Sequence, residues 1–109
     1  MNNERFERFK AKHPNWSDEQ IWTAVSLDMA QDTTIEEKGG DIDPNDADIW
    51  KEIVSQAKDW IKEVLPQVFE KVKALFDNII HQISEWVKKN IPVIMEKIKD
   101  FIGSWMKKA

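Results

Sequence analysis

The chain has 109 residues, a mass of 12.8 kDa and a net charge of −4, and a domain of this size can bury a hydrophobic core without cross-links. It has no cysteine, which excludes disulfides, thiolate zinc sites and a cysteine nucleophile. Residues 1–46 hold 5 basic and 11 acidic side chains, residues 47–83 hold 5 and 6, and residues 84–109 hold 6 and 3, so the net charge runs from −6 through −1 to +3. Because nucleic-acid-binding proteins concentrate positive charge on a contact face, the overall acidity argues against a nucleic-acid partner.

The first segment, NNERFERFKAKHP, predicts a short helix that ends before Pro14, because the residue preceding a proline disfavours helical conformation. This segment is charged throughout and lacks the apolar stretch of a secretory signal. No run in the chain approaches the eighteen apolar residues that suggest a membrane-spanning helix. We therefore expect a cytoplasmic protein that does not span a membrane but could associate with its surface.

The next segment, NWSDEQIW, carries two signals for the start of a helix. Ser17 and Gln20 are spaced as a capping box, and Trp16 before the cap can pack on Ile21 as a hydrophobic staple. The helical pattern fades in TTIEEKGG, where two glycines end it or form a link. Residues 1–40 are therefore predicted to be an N-terminal segment of two short helices and a linker.

The stretch from 41 to 52 is rich in acidic residues and resembles a calcium-binding EF-hand loop in part. Four residues occupy ligand positions 1, 3, 5 and 12 of such a loop: Asp41, Asp43, Asn45 and Glu52. The match fails at the sixth position, where the sharp turn of the loop requires glycine and this chain has Asp46. Metal binding by these four residues is therefore a weak hypothesis.

A helix entrance explains the same stretch by local physics alone. Asp43 can cap the helix, and Pro44 can occupy the first helical position with its fixed φ angle. Asp46 and Asp48 would then lie near the positive end of the helix dipole. This interpretation is favoured over calcium binding.

From Ile49 to Met106 the sequence contains 27 large apolar side chains that recur every three or four residues. This spacing predicts amphipathic helices at about 44–65, 67–89 and 92–107. Residues 41–109 are thus predicted to form an amphipathic helical region in the same compact domain as residues 1–40. The fold class predicted is all-α, a small bundle of four to five helices.

The amphipathic region also contains a tandem repeat. EVLPQVFEKVKALF aligns with KNIPVIMEKIKDFI at a shift of 26 residues, which matches Pro66 with Pro92. Because a proline inside a helix costs about 3 kcal/mol, each should mark a kink or a helix start. We expect a kink or an abrupt corner at 65–66 and a cleaner break at 89–91.

The apolar side chains must be covered, because exposing each would forgo on the order of 1.5 kcal/mol. The three ways to cover them are an intramolecular core, self-association and the surface of a membrane. The chain has no nucleophile motif and, with three glycines, no phosphate-binding loop. It is therefore predicted to be no enzyme and to use no cofactor.

The leading prediction is a non-catalytic protein-interaction module that binds a protein partner or self-associates through its C-terminal helices. The predicted contacts are Trp86, Ile94, Ile98, Phe101, Ile102 and Trp105, together with Lys97 and Lys99. The alternative is a peripheral protein that binds or perturbs anionic membranes. Its cationic residues would be Lys88, Lys89, Lys97, Lys99, Lys107 and Lys108, with Trp86 and Trp105 as interfacial anchors.

Overall fold

The computed structural model describes residues 3–108, and side chains are described for residues 3–105. Within this range the chain forms five α-helices and no strand. The helices are α1 (Asn3–Lys12), α2 (Asp18–Glu37), α3 (Ala47–Val64), α4 (Pro66–Lys88) and α5 (Met95–Lys108). The predicted all-α bundle is therefore confirmed.

The start of α2 is determined by its capping box, as the sequence predicts. The backbone N–H of Ser17 donates to Gln20 Oε1 at 2.8 Å, and the N–H of Gln20 donates to Ser17 Oγ at 3.3 Å. These two bonds satisfy donors that the first turn of a helix otherwise leaves unpaired. Trp16, just before the cap, stacks on His13 with ring centroids 3.8 Å apart.

A residue in the left-handed conformation follows the last turn of both α2 and α4. Gly39 has a φ of 78° and Asn90 a φ of 57°, and each is followed by a residue whose N–H reaches five residues back. The N–H of Gly40 donates to the carbonyl oxygen of Ile35 at 3.0 Å. The N–H of Ile91 donates to the carbonyl oxygen of Trp86 at 2.8 Å. This bonding pattern stops a helix, and glycine and asparagine adopt the required conformation most readily. The predicted ends at the two glycines and at 89–91 agree with this arrangement.

The start of α3 differs from the prediction by three residues. Asp46, not Asp43, caps the helix: its Oδ1 accepts from the N–H groups of Asp48 at 3.0 Å and Ile49 at 3.3 Å. The Oδ1 of Asp43 instead accepts from the N–H of Asn45 at 2.9 Å and closes a turn before the helix. The predicted cap was wrong because an aspartate suits a turn as well as a helix start.

The α3–α4 connection is a corner between two helices. Leu65 has φ −134° and ψ 65°, which is not a helical conformation, and Pro66 is the first residue of α4. Proline is tolerated there because its missing N–H would have no partner in a first turn. The two helices then pack extensively against each other, and α3 also packs along α2.

The two prolines matched by the repeat have different structural roles. Pro66 begins α4, whereas Pro92 lies in the segment before α5, which starts three residues later at Met95. The left-handed turn at Asn90 takes the chain out of α4 before Pro92 is reached. Later in the repeat the two matched segments are alike, because Phe76 and the matching residue Ile102 are both fully buried.

Side chains from all five helices form one buried cluster. The largest of its fully buried members are Trp50, Phe76, Ile21, Leu27, Ile53 and Ile61. Among the described large hydrophobic side chains, Val64 at 38% and Ile94 at 51% are the exposed ones. Most of the apolar stripe is thus covered within this chain. None of the described helices is long and apolar enough to cross a membrane.

Candidate functional site

Two loops on one side of the bundle are joined by a backbone hydrogen bond. The N–H of Val93, in the loop between α4 and α5, donates to the carbonyl oxygen of Pro44 at 3.2 Å. Pro44 belongs to the loop between α2 and α3. This bond brings the start of α5 beside the loop that follows α2.

A groove of about 510 Å³ lies where these loops meet the bundle, and we call it the Ile94 groove. Its lining is mainly apolar and consists of Gln31, Ile35, Asp41, Ile42, Pro44, Trp50, Val93, Ile94 and Met95. Ile94 is 51% exposed, more than any other large hydrophobic residue in the described part of the chain. Binding sites are typically concave and apolar with few polar groups, and this groove has that character.

The chain around the Ile94 groove is strongly acidic. Residues 31–52 contain eight acidic and two basic side chains, which gives this stretch a net charge of −6. Asp41 lies in the groove lining itself, and its side chain is exposed. A partner with basic residues beside an apolar side chain would complement this surface.

The apolar residues predicted as partner contacts are placed very differently from one another. Ile98 and Ile102 are fully buried in the core of this chain, because α5 packs its apolar face against α2 and α4. As partner contacts, these two residues would require α5 to leave the bundle. Trp86, Phe101 and Trp105 are partly buried and pack against the core, so part of each ring reaches the surface.

The two lysines predicted as contacts also differ in exposure. Lys97 is partly exposed, and its Nζ lies 5.8 Å from the ring centroid of Trp86, which is a cation–π distance. Lys99 is only 8% exposed and bonds Glu96 at 3.1 Å. Lys99 is therefore unsuited to attract a distant surface. The side chains of Lys107 and Lys108 lie outside those described.

The four candidate calcium ligands do not form a metal site in this structure. Asp41, Asp43, Asn45 and Glu52 are all exposed. Asp43 already uses one carboxylate oxygen in its turn, and Glu52 lies on α3 beyond the cap. Within residues 3–108, no group of three or more His, Cys, Asp or Glu side chains could hold a metal ion.

Seven of the nine groove residues were not predicted as contacts or metal ligands: Gln31, Ile35, Ile42, Pro44, Trp50, Val93 and Met95. No local signal identifies them. Ile42 lies between two aspartates in a loop, and Val93 reaches the groove through a bond to a residue 49 positions earlier. Their common position depends on tertiary structure.

Comparisons of the chain with protein-family models, with curated proteins and with solved structures gave no match. The proposals below therefore depend on the geometry and the charges described above.

Proposed function

We propose that this chain is a non-catalytic interaction module that forms a two-fold dimer, with the start of α5 in each copy packed at the Ile94 groove of the other. The exposure of Ile94 at an apolar groove carries the proposal. Because Ile94 is itself part of the groove, a two-fold axis beside it would let the same surface serve both copies.

Charge supports a second copy as the occupant. The stretch 31–52 has a net charge of −6, and the stretch 84–109 has a net charge of +3. In a two-fold dimer the basic C-terminal part of each copy could approach the acidic loops of the other, and such complementarity favours association. Since exposed charges are screened by salt, the dimer should weaken as the salt concentration rises.

The energy expected from the groove is modest. Full burial of an isoleucine side chain stabilises by about 1.5–3 kcal/mol, so covering the exposed half of Ile94 gives about 1 kcal/mol. A stable interface covers roughly 800 Å² on each partner, about an eighth of the 6394 Å² surface of this chain. The exposed side of α5, including parts of Phe101 and Trp105, would have to contribute to the contact.

Light scattering coupled to size-exclusion chromatography tests the dimer. We expect the mass of the unaltered chain to rise from monomer toward dimer between low and high micromolar concentration. Ile94→Ser should keep the chain monomeric, whereas Val64→Ser should not, because Val64 is the other exposed large aliphatic residue among those described but lies at the α3–α4 corner. A chain that stays monomeric at high micromolar concentration, or equal effects of both variants, would refute the proposal.

A second proposal is a cytoplasmic protein that binds an anionic membrane surface. Its support is the pairing of Lys97 with the half-buried Trp86, beside the exposed Lys88 and Lys89. The protein should then float with anionic liposomes, and its tryptophan emission should shift to the blue on binding. Flotation equal to that with neutral liposomes, without a spectral shift, would exclude this proposal.

A further inference from the structure

A second cavity, separate from the Ile94 groove, lies between α1, α2 and α5, and we call it the basic cavity. It has a volume of about 120 Å³ and is lined by Arg8, Phe9, Lys12, Asp28 and Lys99. Three of these five side chains are cationic and one is acidic. The charge of the lining is therefore +2 in a chain whose net charge is −4.

Two of the cations come from α1 and have no acidic partner. Arg8 and Lys12 are four residues apart, so they lie on the same face of the helix. Neither forms a salt bridge with any residue that the structure describes. Both side chains are exposed, so they can turn toward an occupant of the cavity.

The third cation of the lining, Lys99, is largely buried. It is 8% exposed, and its Nζ lies 4.8 Å from the ring centroid of Phe9. Its acidic partner is Glu96, at 3.1 Å, whose side chain is 75% exposed. Burial of an ammonium group is costly, and a solvent-exposed carboxylate compensates for it only in part.

The acidic residue of the lining is already engaged. Asp28 accepts a hydrogen bond from Arg5, which also donates to Asp32 at 3.0 Å. This ion pair joins α1 to α2 and leaves Asp28 less able to neutralise the cations. Three like charges around one small space repel one another, and an anion between them would remove that repulsion.

The neighbouring His13 lies within the electrostatic influence of two cations of the cavity, Lys99 and Lys12. Its pKa is lowered from the ordinary value by burial first, and then by the charges of Lys99 and Lys12. Glu96 and Asp100 act in the opposite direction but do not reverse the shift. Burial is thus the main cause of the lowered pKa, and the charges of the two cavity lysines add to it.

We propose that the basic cavity binds one phosphate group, either inorganic phosphate or a phosphate monoester. The cavity offers one guanidinium and two ammonium groups, and groups of both kinds bind phosphate oxygens by charge-assisted hydrogen bonds. The volume suits a group of a few heavy atoms. The chain has no phosphate-binding glycine loop, so side chains supply the donors.

Phosphate titration followed by ¹H–¹⁵N NMR tests the site, with sodium chloride at matched ionic strength as reference. We expect saturable shifts at residues 8–12 and 96–99. Lys99→Gln should weaken binding about tenfold or more, because a hydrogen bond to a charged group is removed. Lys89→Gln, at an exposed lysine outside the cavity, should bind as the unaltered chain does.

Lys12→Gln provides a second variant if Lys99→Gln does not fold, because Lys12 is exposed and its replacement leaves the core unchanged. It too should weaken phosphate binding. The Ile94→Ser variant should keep full phosphate binding, which separates this site from the proposed dimer. Shifts that do not saturate, that are the same with chloride, or that are unchanged in both Lys99→Gln and Lys12→Gln would overturn the proposal for free phosphate.

Vesicles distinguish a lipid headgroup from free phosphate as the source of the ligand. Phosphatidylcholine vesicles with and without phosphatidic acid are compared in co-sedimentation. Binding to phosphatidic acid that phosphate inhibits and Lys99→Gln weakens would support the site with a lipid as its source. If neither phosphate nor phosphatidic acid shows binding that depends on Lys99 or Lys12, the site does not exist.

Discussion

The side-chain amide of Gln20 donates a hydrogen bond of 3.4 Å to the carbonyl oxygen of Ile102. The same amide group accepts, through Oε1, the N–H of Ser17 in the capping box of α2. Gln20 is 6% exposed; its bond to Ile102 is buried, and its bond to Ser17 is partly buried. One side chain therefore determines where α2 begins and also binds α5 to it.

This double role predicts different effects for Gln20→Ala and Ser17→Ala. Each variant breaks the capping box and should cost about 1 kcal/mol of stability. Gln20→Ala also removes the bond to Ile102, which adds about 1 kcal/mol and should speed hydrogen exchange in residues 95–105. Denaturant unfolding and exchange measurements check both effects. Equal exchange in α5 of the two variants would contradict the role assigned to Gln20.

Gly103 provides a second prediction, because α5 passes close to Trp16 at this residue. A Cβ atom at Gly103 would lie 3.3 Å from Trp16 Nε1, which is tighter than ordinary contact. Gly103→Val should therefore displace the indole and cost about 1–3 kcal/mol through overpacking. Tryptophan emission and denaturant unfolding measure the displacement and the cost.

Ser104→Val is the matched control for this effect. Ser104 is the next residue of α5 and is exposed, so valine there changes helix propensity without meeting Trp16. The control should lose only a few tenths of a kcal/mol. If Gly103→Val is no less stable than Ser104→Val, then Trp16 can move aside freely.

Features governed by neighbours in sequence were predictable. The Ser17–Gln20 capping box follows from residue types at a fixed spacing, and the structure contains both of its bonds. The helices of the apolar stripe follow from its period of three to four residues, which packing against a core requires. The corner before Pro66 follows from the chemistry of proline.

Features that depend on distant residues were not predictable. Ile94 and Ile98 are four residues apart in sequence and chemically identical, yet one is 51% exposed and the other is fully buried. The apolar periodicity of the sequence predicts the same burial for both residues. The structural difference is that Ile94 lies before the first residue of α5, Met95, whereas Ile98 lies within the helix, on the face that packs against the core. The groove lining, assembled from segments far apart in sequence, could not be read from any one of them.

The corrected start of α3 gives a third prediction. Asp46→Ala should cost about 1 kcal/mol, because it removes the acceptor of two backbone N–H groups at the first turn. Asp43→Ala should cost only a few tenths of a kcal/mol, since its single bond closes an exposed turn. Denaturant unfolding of the two variants compares them at equal loss of charge. A larger loss for Asp43→Ala would restore the cap predicted from the sequence.

The lowered pKa of His13 makes stability depend on pH. Burial is the largest cause, and the charges of Lys99 and Lys12 add to it. The folded chain then binds fewer protons at His13 than the unfolded chain does. The stability associated with His13 is therefore present above the ordinary pKa of 6.5 and is lost as the pH falls through 6.5 toward the lower folded pKa.

Lys99→Gln should raise the pKa of His13 and weaken this pH dependence, because it removes the positive charge that lowers this pKa most but leaves the burial unchanged. The pKa of His13 should therefore return only part of the way to its ordinary value. NMR titration of the His13 ring protons in both chains measures the shift, and denaturant unfolding between about pH 7 and pH 5 measures the stability. Lys89→Gln, with equal loss of charge at a distant exposed residue, should change neither. A His13 pKa that is the same in Lys99→Gln and in the unaltered chain would show that burial alone causes the shift, and it would remove one support of the basic cavity.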